Sequence, residues 1–185
     1  MTAAPKLGTY ADLQALPSNV VGELILGSIY VSPRPGAIHA NATFGISEEL
    51  GAPFRRGKGG PGGWIILFEP ELHLSEDVVV PDLAGWRRER LPELPQAAHL
   101  SVAPNWVCEV LSPSTQAIDR GDKAKIYARA QVTHLWLVDP IVKTLEILRL
   151  DGPTYRVIEV FTGDSCVRAE PFDAIEFDMS ALWMR

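Results

Sequence analysis

Two short apolar runs, separated by a helix-length stretch, constrain this chain more than any other feature. Residues 106–111 read WVCEVL and residues 134–138 read HLWLV. Each suits one buried strand and is too short for a buried helix. The proline-free stretch at 119–130 suits a helix between them. Strand, helix and strand in that order bring the two strands together in parallel through a right-handed crossover. The first run also holds an anomaly. Alternation puts Val107, Glu109 and Leu111 on one face, and Trp106, Cys108 and Val110 on the other. An ionised Glu109 inside an apolar strand is costly unless it is paired or binds a cation. Cys108, facing the opposite way, reads as a small core hydrophobe.

Elements on either side extend the sheet. Thr9 caps a short helix over 9–16, with Asp12 completing a capping box and Pro17 stopping it. Residues 20–26 and 29–32 read as a hairpin about Gly27-Ser28, and Pro33 to Gly36 as a turn. A helix is predicted over 37–50, with Ile38, Ala42, Ile46 and Leu50 along its core stripe. The glycine-rich stretch from Arg55 to Gly63 reads as a mobile loop. Strands are expected at 64–68, 71–74 and 78–80, and an irregular crossing at 89–103. A last hairpin, 144–150 with 155–161, turns at Asp151-Gly152. The tail, 169–185, has sparse apolar residues and reads as a loop with a short helical turn. Trp64, Trp86, Trp106 and Trp136 are expected as core or interface anchors. The fold class is therefore α/β, a mixed β-sheet flanked by few helices, in one domain over 1–185. Few helices leave one sheet face thinly covered, which homodimerisation would cover.

The chain has 185 residues, 46% hydrophobic and 22% charged, so it can bury a core unaided. No apolar run approaches membrane-helix length, and no signal-peptide core is expected at the N-terminus. Two cysteines, without zinc-type spacing, fit a reduced cytoplasmic protein. Seventeen basic against twenty-three acidic residues give a net charge of −6. That argues against tight nonspecific nucleic-acid binding but leaves room for a local basic groove. Arg55, Arg56 and Lys58, or Arg87, Arg88 and Arg90, are the clusters available. No dinucleotide, P-loop, zinc-protease or nucleophile-elbow fingerprint is present.

The chemistry-bearing pattern is carboxylates at strand positions. Asp82 follows the apolar run Val78-Val79-Val80-Pro81, and Glu109 lies within the next buried run. Two such acids on separate strands suit an oxygen-rich Mg²⁺ site. Asp119, Lys123 and Tyr127 fall at i, i+4 and i+8 on the following helix. Alone, the Asp119–Lys123 pair reads as a solvated ion pair worth a few tenths of a kcal/mol. The short path from Glu109 lets the same lysine fold back over the strand end.

The blocks VVVPDLAGW (78–86), WVCEVLSPST (106–115), DRGDKAKIYARA (119–130) and HLWLVDP (134–140), with GELILGSIYVSPRPGAIH (22–39) upstream, resemble the Uma-type restriction-endonuclease-like family. That family belongs to the PD-(D/E)XK nuclease superfamily, and the resemblance spans about 9–183. It implies a Mg²⁺-dependent DNA endonuclease. Asp82 matches the PD acid and Glu109 the D/E acid. The superfamily lysine belongs at 111, where this chain has Leu111, and Lys123 occupies the place to which the family lysine has moved. The resemblance implies Mg²⁺, or Mn²⁺ as a substitute, held by Asp82, Glu109 and the Val110 carbonyl, with Lys123 at the scissile phosphate. Glu23 matches a position for a further ligand or water-orienting group, with structural pairing an equal alternative. His39 matches a family histidine, with helix N-terminal hydrogen bonding as its plainer role. Asp119 is expected to cap its helix or pair with Lys123, and Glu69 to be exposed or turned toward the site. A nuclease-fold binding module without turnover, and a self-associating structural protein, are the competing classes.

Overall fold

The computed structural model describes residues 7–183. The first residues of the segment read for a signal peptide, and Met184 and Arg185 of the tail, lie outside them. After helix α1 (Tyr10–Gln14), capped by Thr9 and Asp12 as expected, come β1 (Val20–Ile25) and β2 (Ser28–Pro33). Helix α2 (Ala37–Leu50) continues into a π turn, Gly51–Arg55. Strands β3 (Trp64–Phe68), β4 (Leu72–Leu74), β5 (Asp77–Val79), β6 (Leu83–Arg87) and β7 (Trp106–Val110) follow. The next helical stretch is α3 (Gln116–Ile118), a π turn (Asp119–Lys123) and α4 (Ala124–Arg129). Then come β8 (His134–Asp139), β9 (Thr144–Asp151), β10 (Thr154–Thr162), β11 (Cys166–Val167), β12 (Phe177–Asp178) and a 3-10 turn, Met179–Leu182.

The main sheet has six strands in the order β10-β9-β8-β7-β6-β3. Strands β7 and β8 pair in parallel, Glu109 opposite Leu137, and the other pairs of this sheet are antiparallel. A four-stranded sheet, β2-β1-β5-β4, packs beside it. Strand alternation sends Trp106, Cys108 and Val110 into one core layer with Ile46, Leu50, Trp136 and Phe172. Val107 and Leu111 enter the opposite layer with Tyr127, Leu135, Leu72 and Ile25.

Several sequence expectations are corrected. Both faces of the main sheet are covered: α2 and the tail seal one, α4 and the small sheet the other. The tail is core, because Phe172, Phe177, Met179, Leu182 and Trp183 are buried. Ile38 is 64% exposed, since the buried stripe of α2 starts only at Ala42. The first hairpin turns at Leu26-Gly27, one residue early, both at positive φ as a two-residue turn of this kind requires. The last hairpin turns at Gly152-Pro153, one residue late. The Arg55–Gly63 loop is laced to the π turn that follows α2, Lys58 N–H donating to the Ala52 carbonyl and Gly62 N–H to that of Pro53. Strand β6 was not foreseen. Its Ala84 and Gly85 weaken any strand signal, yet Gly85 is needed there. A Cβ would lie 3.0 Å from the Trp106 ring and 3.2 Å from the Trp64 ring.

Candidate active site

Register builds the site. Strand β6 runs antiparallel to β7 with Leu83 opposite Cys108. One further step along the ladder sets Asp82 opposite Glu109, so both acids belong to the face that α4 and the small sheet cover. The Asp82 carboxylate accepts the Val110 N–H at 2.7 Å through Oδ2, and His39 Nε2 lies 3.2 Å from its Oδ1. His39 reaches this place because α2 begins directly above the strand ends, after the Pro33–Gly36 turn. The ring thus contacts Asp82 rather than the backbone at the start of its own helix. Burial alone would lower the imidazole pKa, but Asp82 and the Val110 carbonyl outweigh it and the net shift is upward.

Behind Asp82 lies a buried charge cluster. Glu109 is 2% exposed, Lys123 3% and Asp119 4%. Lys123 Nζ stands 2.9 Å from Glu109 Oε1, 3.0 Å from Glu23 Oε1 and 3.5 Å from Asp119 Oδ1. The solvated Asp119–Lys123 pair expected of an ordinary helix is thus replaced by a buried one, in a π turn of the kind that recurs at functional sites. Asp119 pairs with Lys123 rather than capping the helix. Tyr127, one turn further on, donates its hydroxyl to Glu109 Oε1 at 2.5 Å. Glu23 reaches in from β1 and accepts the Val80 N–H at 2.8 Å.

The electrostatics follow from this crowding. Burial pushes the Glu109 carboxyl well above the usual carboxylate range; Lys123 pulls it down, while Asp119, Asp82 and Glu23 push it up. Burial likewise raises Asp119, against Lys123. For Lys123, burial acts to lower the pKa, but Glu109 and Glu23 overcome it and hold the ammonium well above its ordinary value.

A cleft of about 180 Å³ opens onto these groups, lined by Glu23, His39, Asp82, Glu109, Val110, Asp119 and Lys123. All the acids, the lysine and the histidine singled out from sequence are therefore together. Glu69 also lines the cleft, its pKa raised by burial and by Asp82. Arg34, within the Pro33–Gly36 turn and unmarked by any sequence motif, stands on the rim. Neither basic cluster lines the cleft. Arg87 instead lies over the Trp64 ring at 4.7 Å, and Arg90 donates to the Pro104 carbonyl. Cys108 is fully buried on the far face, its thiol pKa pushed well up by burial.

The mixed sheet thus presents two strand-end acids and a helix-borne lysine in one cleft, and comparison with known proteins gives its class as restriction-endonuclease-like. Residues 9–180 match the family model described as "Uma2: Putative restriction endonuclease", and the chain belongs to that family. A crystal structure from Anabaena variabilis, titled as a "putative nuclease belonging to DUF820", shares the fold with a TM-score of 0.72 and 21% identity. The match covers 95% of this chain and 97% of that one. No curated protein is significantly similar in sequence. Among the described residues no helix is long and apolar enough to cross a membrane.

Proposed function

We propose that the chain is a Mg²⁺-dependent endodeoxyribonuclease that hydrolyses DNA phosphodiester bonds at the Asp82, Glu109 and Lys123 cleft. One observation carries this reading: a single buried ammonium faces three carboxylates, those of Glu23, Glu109 and Asp119. The excess negative charge sits where water solvates it poorly, and a divalent cation with oxygen ligands relieves it. The donor set fits such an ion. The contacts of Glu109 with Lys123 and Tyr127 both fall on Oε1, which leaves Oε2 without a hydrogen-bond partner among the described residues. Asp82, Glu109 and the Val110 carbonyl are the groups that would hold Mg²⁺, or Mn²⁺ in its place, with Glu23 as a further ligand or water-orienting group. When bound, the ion supplies polarisation of the phosphodiester and activation of the attacking water. Lys123 contributes fixed positive charge where the phosphorane becomes more negative. His39 keeps Asp82 oriented, and Asp119 keeps Lys123 in place.

Substrate contact is supported by Arg34 on the rim and by exposed Phe44 and Phe68 on the adjoining wall next to His39. Aromatic faces of that kind stack on unpaired bases. The same reading takes the protein to act in the cytoplasm as a single domain, with Cys108 and Cys166 free. It also takes the protein as a homodimer, supported by the edge position of β10 with exposed Val157 and Val160.

Glu109→Ala is expected to abolish Mg²⁺-dependent cleavage of plasmid DNA while the circular dichroism spectrum stays unchanged. Unaltered cleavage refutes the assignment. Lys123→Met is expected to lower kcat about 10²–10³-fold. Buried Leu111, standing where the superfamily lysine belongs, favours a second reading as a nucleic-acid or protein binding module without turnover. Calorimetric titration with Mg²⁺ or Mn²⁺ separates the two, because a pure binding module has no reason to hold the ion.

A further inference from the structure

Away from the cleft, Glu71, His73 and His99 each offer one donor atom, and the three atoms lie within 4.8 Å of one another. We propose that these side chains form a second metal site, of zinc type, which fastens the irregular 89–103 crossing to the small sheet.

Backbone register creates it. Leu72 and Leu100 form a parallel bridge. The His73 N–H donates to the Leu100 carbonyl, and the Leu100 N–H to the Glu71 carbonyl, both at 2.9 Å. Both leucines are buried, so their immediate neighbours Glu71, His73 and His99 project to the opposite side. There His73 Nε2 lies 2.7 Å from Glu71 Oε1. The two imidazole rings stack with centroids 3.9 Å apart and planes 19° apart, and one nitrogen of each falls within the 4.8 Å group of donor atoms. Tyr10 donates its hydroxyl to Glu71 Oε1 at 2.8 Å and meets the His73 ring edge-on at 4.7 Å. Outer hydrogen bonds of this kind hold a ligating carboxylate in place.

Two imidazoles and one carboxylate, with further positions left to water, suit Zn²⁺ and its late first-row neighbours. Mg²⁺, which favours all-oxygen coordination, is a poor match. None of the three residues lines the cleft, so the site stands independently of the nuclease reading. An ion there joins α1, β4 and the crossing at one point.

The test is calorimetric titration of the whole protein with Zn²⁺, on wild type and on Glu109→Gln, in which the cleft acids are weakened. One Zn²⁺ per chain is expected in Glu109→Gln. At saturation the thermal midpoint is expected to rise by about 5–10 °C. His99→Ala removes both effects, whereas His99→Asp, which restores an oxygen donor, recovers binding. Co²⁺ in place of Zn²⁺ gives visible absorption that disappears in His73→Ala. Absence of Zn²⁺ binding at millimolar concentration overturns the proposal. So does binding that is unchanged in both His73→Ala and His99→Ala, with circular dichroism confirming that the variants are folded.

Discussion

At Glu109, burial works against the charged form of the carboxyl group. Burial raises its carboxyl pKa well above the ordinary 4.5, and the surrounding acids add to the rise that Lys123 opposes. A group with a raised folded-state pKa holds its proton more tightly when folded. Its contribution to stability is full below the unfolded value and is lost as pH rises through the folded one. In EDTA, Glu109→Gln is therefore expected to gain on wild type as pH rises above about 4.5, by at most about 1.4 kcal/mol per pH unit. Urea unfolding of both proteins between pH 5 and pH 8 measures this, and a gap that does not change with pH contradicts it. The raised pKa of Lys123 keeps its charge throughout that window. The oddity of Glu109 is legible in sequence because an acid interrupts an apolar run. The burial of Lys123 is signalled in sequence only by its short path from Glu109 and by the family resemblance. Helical acid–base pairs four apart are usually solvated, and Glu23, which closes over this one, lies on a distant strand.

Elements were readable in proportion to how much of their stability is local. Helix α2 appears with the predicted bounds, and β3 likewise, since apolar spacing alone marks them. Strand β6 is invisible to such signals: its place is set by Trp64 and Trp106 closing on either side of Gly85. Gly85→Ala is accordingly expected to cost about 1–3 kcal/mol through overpacking. That corresponds to a fall in Tm of roughly 2–4 °C for each kcal/mol at this chain length. Scanning calorimetry reads it directly. A variant as stable as wild type would show that the two rings move apart without cost. Because Asp82 stands at the head of β6, the proposed divalent-ion site predicts that the same substitution also weakens Mg²⁺ binding at the cleft. The hairpin turns were displaced by one residue for a related reason. Turn position depends on which two residues accept the required backbone angles, and in the first hairpin Leu26 does so with its N–H held by the Asp77 carboxylate at 2.6 Å.

For the whole molecule, the largest gap between sequence and fold is the tail. Its apolar residues show neither helical nor strand period, so nothing local marks them as core. They are recruited by the main sheet, where Phe172 meets Trp64, Trp106 and Trp136 at centroid distances of 4.7, 4.9 and 5.6 Å. Each large apolar side chain lost from this layer costs roughly 1.5–3 kcal/mol of burial, against a total stability of about 5–15 kcal/mol for a domain. A chain ending at residue 165 is therefore expected to lose cooperative unfolding and to bind a hydrophobic dye. Retention of a sharp melting transition would contradict this. The same dependence has a consequence during synthesis. A nascent polypeptide emerging from the ribosome has no lid for its tryptophan layer until residues 166–183 have followed, so a half-made chain is kept from acquiring its finished shape early.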